Sequence, residues 1–107
     1  MSADEIIIKL SAPTVFPDLN QKEGQAADHP REELAVKRLK FKHFKKLNEV
    51  KQEEQMLYAI CELTGLSNDD IDELYAEDAG AITKIIIGFM KGFMDVAKTV
   101  MNPNVDD

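Results

Sequence analysis

Near residue 43 the spacing of apolar side chains changes from two to three and four, and that change sets the fold class. Before it, "EIIIKL" (Glu5 to Leu10) places three β-branched isoleucines in a row, a strand preference set by their stiff χ1 angles. In "LAVKRLKF" (Leu34 to Phe41), Leu39 and Phe41 alternate with Arg38, Lys40 and Lys42. Leu34 and Val36 break that parity, which calls for a bulge or a later start. After it, Phe44, Leu47 and Val50 are three apart, and Met56, Leu57, Ile60, Leu63 and Thr64 fall at helical spacing. The reading is an α+β chain, mostly α: an N-terminal two-stranded β-hairpin, then three to four helices, the last one long. A lone hairpin is marginal and needs helices to cover it.

Punctuation supplies the boundaries. Pro13 stops the first strand, although "TVF" can extend it briefly before Pro17. The polar segment from Asp18 to Glu33 holds Gly24 and Pro30 and reads as a long mobile loop. Helices are predicted over about 43–50 and 52–64, with nothing strong enough between them to forbid continuity. Gly65 sits where a left-handed residue ends a helix. Ser67 caps a short helix over about 68–75, with Asp70 reaching back as in a capping box, and Leu66 and Ile71 stand at staple positions. Asp78 caps the last helix, about 79–101, which Asn102 and Pro103 end. With 107 residues the layout is one domain: hairpin 5–42 with its loop 18–33, helical part 43–101, and a flexible tail 102–107.

The formal charge of −7 argues against wholesale nucleic-acid binding. The one cysteine, Cys61, cannot form an internal disulfide, so a reducing cytoplasm is expected, with Cys61 as a small buried hydrophobe. The start carries acids where a signal peptide carries basic residues. Lys84 and Lys91 leave only six uncharged residues between them in the most apolar region, whereas a membrane span needs about twenty. No membrane partner is expected.

Asn68, Asp70 and Asp72 imitate the opening of a calcium loop. Such a loop needs glycine at its sixth position and a bidentate Glu at its twelfth, and here these are Glu73 and Ala79. The acids instead complement a helix N-terminus. His29 and His43 lie far from Cys61 in the chain, so no metal-ligand spacing appears. There is no glycine-rich phosphate loop and no nucleophile–base pair. No enzyme, metal or cofactor is expected.

Two segments carry interaction chemistry. From Lys37 to Lys51, seven Lys or Arg residues interleave with Phe41 and Phe44, a pattern that can bind single strands. The same aromatics, with Leu39 and Leu47, also form the apolar half of an amphipathic pattern, which assigns them to the core. From Gln52 to Gly80 there are nine acids and no Lys or Arg, so pairing of the two blocks, within the chain or head to tail, accounts for the asymmetry as well. The last helix carries one broad stripe (Ile82, Ile85, Ile86, Phe89, Phe93, Val96, Val100) and a second about 100° away (Ile87, Met90, Met94, Met101). One stripe docks on a core. The second, with Phe89 and Phe93 beside it, is either wrapped by the core as well or is the candidate partner-binding surface, for self-association or for another protein's helix, and methionines suit such a face because they repack around varied partners.

The order of these elements resembles the small tail assembly chaperones of contractile-tailed phages and prophages, the Mu-like and P2-like group. The resemblance runs from about Ile6 to Val100. It rests on a strand opening with Ile8, Leu10 and Pro13, on the basic "VKRLKFKHFKKL" leading into a helix, on "LTGL" (Leu63 to Leu66) followed by Ile71, Leu74 and Asp78, and on an apolar closing helix. The loop between the strands is longer than the pattern has, and lysines and a histidine replace the usual acid after the second strand. The resemblance implies a non-enzymatic chaperone of virion assembly in the host bacterial cytoplasm. It would bind the helical tape measure protein, keep it from precipitating until tail tube subunits polymerise around it, and be absent from the finished particle. Many such proteins also exist in a longer, frameshifted form. The readings beside it are a small nucleic-acid-binding or regulatory module using residues 37–46, and a self-associating structural domain.

Overall fold

The computed structural model describes the chain from Glu5 to Met101, with side chains described through Val96. Strand β1 (Glu5–Val15) pairs antiparallel with β2 (Pro30–Lys37), and helix α1 (Pro17–Lys22) lies between them in sequence. There follow α2 (Phe41–Leu47), a 3-10 turn (Gln52–Glu54), α3 (Gln55–Thr64), α4 (Asn68–Asp72) and the long α5 (Ala76–Met101). The architecture is α+β and mostly α, a two-stranded hairpin followed by helices and closed by a long one.

The hairpin obeys the two-residue rule on its inner face. Ile6 pairs with Val36 and Ile8 with Leu34, and Leu34, Val36 and Leu10 are buried. Pro13 does not stop β1. The register slips between the pairs Lys9–Glu33 and Thr14–Arg31, so the strand bulges around the proline and then resumes. β2 begins at Pro30 and ends at Lys37, four residues earlier at each end than the alternation predicts.

The segment 18–33 is not a mobile loop. Pro17 occupies the first turn of α1 with Asp18 beside it, a local helix start, and Leu19 is buried. Asn20, also fully buried, then ties the turn back: its Nδ2 donates to the carbonyls of Ala27 and His29, and its Oδ1 accepts from Arg31 Nε. Arg31 also pairs with Glu23. Polar composition here reflects side chains that hydrogen-bond the turn, not an absence of structure.

The core gathers Leu10, Phe16 and Val36 from the hairpin side with Leu47, Ile60, Leu63, Ile82 and Ile86 from the helices. Each such side chain contributes roughly 1.5–3 kcal/mol when fully buried. Gly65 ends α3 at φ +82°, and its N–H donates to the Cys61 carbonyl, as the punctuation predicts. α2 and α3 are separate: Asn48 to Lys51 intervenes, and Gln55 Nε2 caps the end of α2 by donating to the Leu47 and Val50 carbonyls. α4 is shorter than predicted, ending at Asp72, and α5 starts earlier, at Ala76. Its 26 residues make it about 39 Å long, and Met90 is the last of its described side chains packed on the core. The longest dimension of the molecule is 57 Å, and its radius of gyration of 15.9 Å exceeds the roughly 13 Å of a compact chain this size. No helix among the described residues is long and apolar enough to cross a membrane. The 102–107 tail lies outside the described residues.

Candidate functional site

Two sets of residues stand out in the sequence, the acids at 67–78 and the second stripe of α5. The acids turn inward. Ser67 Oγ accepts from the Asp70 N–H at 3.1 Å, half of the predicted capping box. The other half is absent: the Asp70 carboxylate reaches across to α1, accepting from the N–H groups of Asp18 (3.2 Å) and Leu19 (2.9 Å). Ser67 Oγ–H in turn donates to Asp18 at 2.6 Å, so the starts of α1 and α4 are clamped together. Lys22 Nζ adds a bond to the Gly65 carbonyl.

Asp78 is not the N-cap of α5. It lies inside the first turn, its backbone N–H already donating to the Tyr75 carbonyl. Its carboxylate instead accepts from the Ser11 N–H (3.0 Å) and the Ser11 hydroxyl (2.9 Å) at the bulge of β1. The bulge breaks the ladder there, and the buried carboxylate receives the N–H. Asp70 and Asp78 therefore hold the hairpin end and α1 against the helices. Asn68 accepts a weak bond from the Cys61 thiol at 3.4 Å. Cys61 itself is half-buried, not buried, because it faces a shallow cavity of about 330 Å³ edged by Val50, Leu57 and Tyr58. Partial burial, and after it the charge of Glu62, push its thiol pKa up. Among the described residues no group of three His, Cys, Asp or Glu side chains converges to hold a metal.

The second stripe of α5 divides. Ile87 is 52% exposed and Met94 56%. Met90, between them, is half-buried and packs on the core, and Phe89 does the same. Phe93 is half-buried under two rings from α2, with centroids 4.2 Å away for Phe44 and 6.0 Å for Phe41. The side chain of Met101 lies outside the described residues, as does that of Val100.

Two residues assigned to the core are on the surface instead. Phe41 begins α2 and does not end a strand. It is 62% exposed, with Lys45 Nζ standing 5.8 Å from its ring centre. Val96, placed on the docking stripe, is 64% exposed because α5 has passed the end of the core by that point. The spacing of three through Phe41, Phe44 and Leu47 is the signal that marks Phe41 as helical. At 100° per residue, Ile87 and Val96 lie on opposite sides of α5, so exposed apolar side chains stand on both. On the Val96 side a groove of about 490 Å³ runs between α5 and the segment after β2, lined by Arg38, Leu39, Phe89, Phe93 and Val96, with Gly88 and Gly92 as its floor.

No protein-family model, curated protein or solved structure matches this chain.

Proposed function

We propose that this chain is a non-catalytic assembly chaperone of the phage-tail type, which covers a helical segment of a tape measure protein with the far half of α5. The observation carrying this reading is the joint exposure of Ile87 and Met94 on one face of α5, with Met94 beyond Met90, the last described residue of the helix that packs on the core. Isolated exposed apolar residues are ordinary. A helix end with large apolar side chains open on two sides is a surface suited to another apolar helix. The flanking clamps support the same reading, since Asp70 and Asp78 fix the helix base while its far half extends outward.

Co-expression with a tape measure protein tests it. The wild-type chain should co-purify with that protein and raise its soluble yield. Ile87→Asp with Met94→Asp should abolish capture while the chain keeps its helical circular dichroism. Absence of capture by the wild type would remove the proposal. Met90 is left untouched because it packs on the core.

One observation favours a second reading. Phe41 is exposed among unburied lysines, the arrangement that lets a base stack on a ring while the backbone meets cations. Salt-sensitive binding of a labelled single-stranded oligonucleotide, lost in Phe41→Ala, would establish it.

A further inference from the structure

We infer that the groove between Arg38–Leu39 and α5 receives an amphipathic helix whose apolar stripe is flanked by acidic residues. This inference rests on the partner-helix reading of α5 and adds to its Ile87–Met94 face a second contact, on the opposite Val96 side, together with the chemistry of what fills it.

The groove supplies the apolar part. Leu39, Phe89, Phe93 and Val96 line it, and among its described lining residues the only charged group is Arg38. A site for a small polar ligand would offer several converging donors and acceptors. Gly88 and Gly92 face open space: a Cβ built on either meets nothing within 4 Å. The α5 backbone on this side is therefore approachable by another helix.

Charge identifies the occupant. The chain carries −7 overall, yet Arg38 lines the groove, and Lys45 stands over the Phe41 ring that meets the groove residue Phe93. Between Lys37 and Lys51 the only acid is Glu49, and between Ala79 and Lys98 the only acid is Asp95. Arg38, Lys40, Lys42, Lys45 and Lys46 are all exposed, and none is paired with a carboxylate among the described residues. Arg38 in the trough and the exposed lysines that follow it in the chain repel a basic helix and attract one with glutamate or aspartate at its edges. The apolar lining favours a protein helix over a nucleic acid, which would place charged phosphates against Leu39 and Val96.

The test uses the full chain and two fluorescein-labelled amphipathic peptides of about 20 residues, long enough for about five turns. Both carry leucine on one stripe. One has glutamate flanks and the other lysine flanks. The glutamate peptide should bind at least ~10-fold more tightly than its twin, and raising the salt from about 50 to about 500 mM should erase most of that difference. Arg38→Glu with Lys45→Glu should invert the preference, and Val96→Asp should weaken both peptides. Equal binding of the two peptides, or binding of neither, overturns the inference without requiring any variant to fold. So does tighter binding of a labelled oligothymidylate, which assigns the basic wall to nucleic acid. A stable dimer whose dissociation follows Arg38→Glu also overturns it, by making a second copy the occupant. Capture of a tape measure protein with no peptide preference would leave the chaperone reading standing and remove only this one. Peptide preference without such capture would do the reverse.

Discussion

Asp70 caps a helix that begins fifty-odd residues before it: its Oδ2 accepts the Leu19 N–H at 2.9 Å across a sequence separation of 51. A helix leaves its first N–H groups without intrahelical partners, and α1 has no side-chain cap of its own at Phe16. Asp70→Ala removes the acceptor for two of those N–H groups in a buried place. The expected loss is about 2–4 kcal/mol, read as a lower urea midpoint at unchanged slope. Asp70→Asn should recover only part of it, because one carboxylate oxygen becomes an NH₂ donor facing another donor. Asp72→Ala, on an exposed neighbour, should stay within about 0.5 kcal/mol of wild type. Similar losses for Asp70→Ala and Asp72→Ala would show that the acids act only on their own helix.

The contact between Ser11 and Asp78 predicts coupling. Asp78→Ala orphans the Ser11 N–H at the bulge, and Ser11→Ala removes only the hydroxyl donor. Asp78→Ala should therefore cost more, by about 1–2 kcal/mol. The double variant should cost less than the sum of the two, with an interaction of at least about 0.5 kcal/mol in a double-mutant cycle. Strict additivity would place the two residues in separate networks.

How far these features are legible from residues alone depends on the distance over which each acts. The period change near residue 43 is local, and it correctly separates hairpin from helices. Gly65 is also legible, since a left-handed helix end is set by a few neighbouring residues. Asp70 and Asp78 are different. Their spacing satisfies a local capping explanation completely, and nothing near them signals that Leu19 and Ser11 receive their carboxylates. α1 had a local signal, proline followed by aspartate and a buried leucine, but the polar run after it masks a single helical turn. Phe41 fits both a period of two through Leu39 and a period of three through Phe44, and packing against Phe93 selects the second. Within the candidate surface, the sequence pattern locates the stripe but not where the core stops beneath it. That limit separates Met90 from Met94.

His43 makes α2 pH-sensitive. Its Nδ1 accepts the Lys40 N–H at 2.9 Å, which requires that nitrogen to be unprotonated. Burial, and after it the positive charge of Lys42, lower its pKa below the ordinary 6.5. The unfolded chain therefore takes up the proton first as pH falls. The stability contribution is intact above 6.5 and declines as pH drops from there toward the lowered folded value. Urea midpoints measured between pH 7.5 and about 5, above the main carboxylate range, should fall with acidification. His43→Gln should flatten that slope. A midpoint that rises with acidification would contradict the neutral, hydrogen-bonded histidine.

Adjacent isoleucines on α5 give the sharpest separation of core from surface. Ile86 is fully buried in the cluster with Leu63 and Ile82, whereas Ile87, one residue on, points 100° away and is half open. Ile86→Ala should cost about 2–5 kcal/mol, from lost transfer energy plus the cavity left behind. Ile87→Ala should change stability by no more than about 0.5 kcal/mol, and Ile87→Asp should leave the urea midpoint close to wild type while abolishing partner capture. The direction matters more than the size: the two substitutions should reverse their rank between a stability assay and a binding assay. If Ile87→Asp destabilises the chain as much as Ile86→Ala does, the Ile87 face of α5 is covered by its own fold, and the uncovered surface on which the chaperone reading rests does not exist.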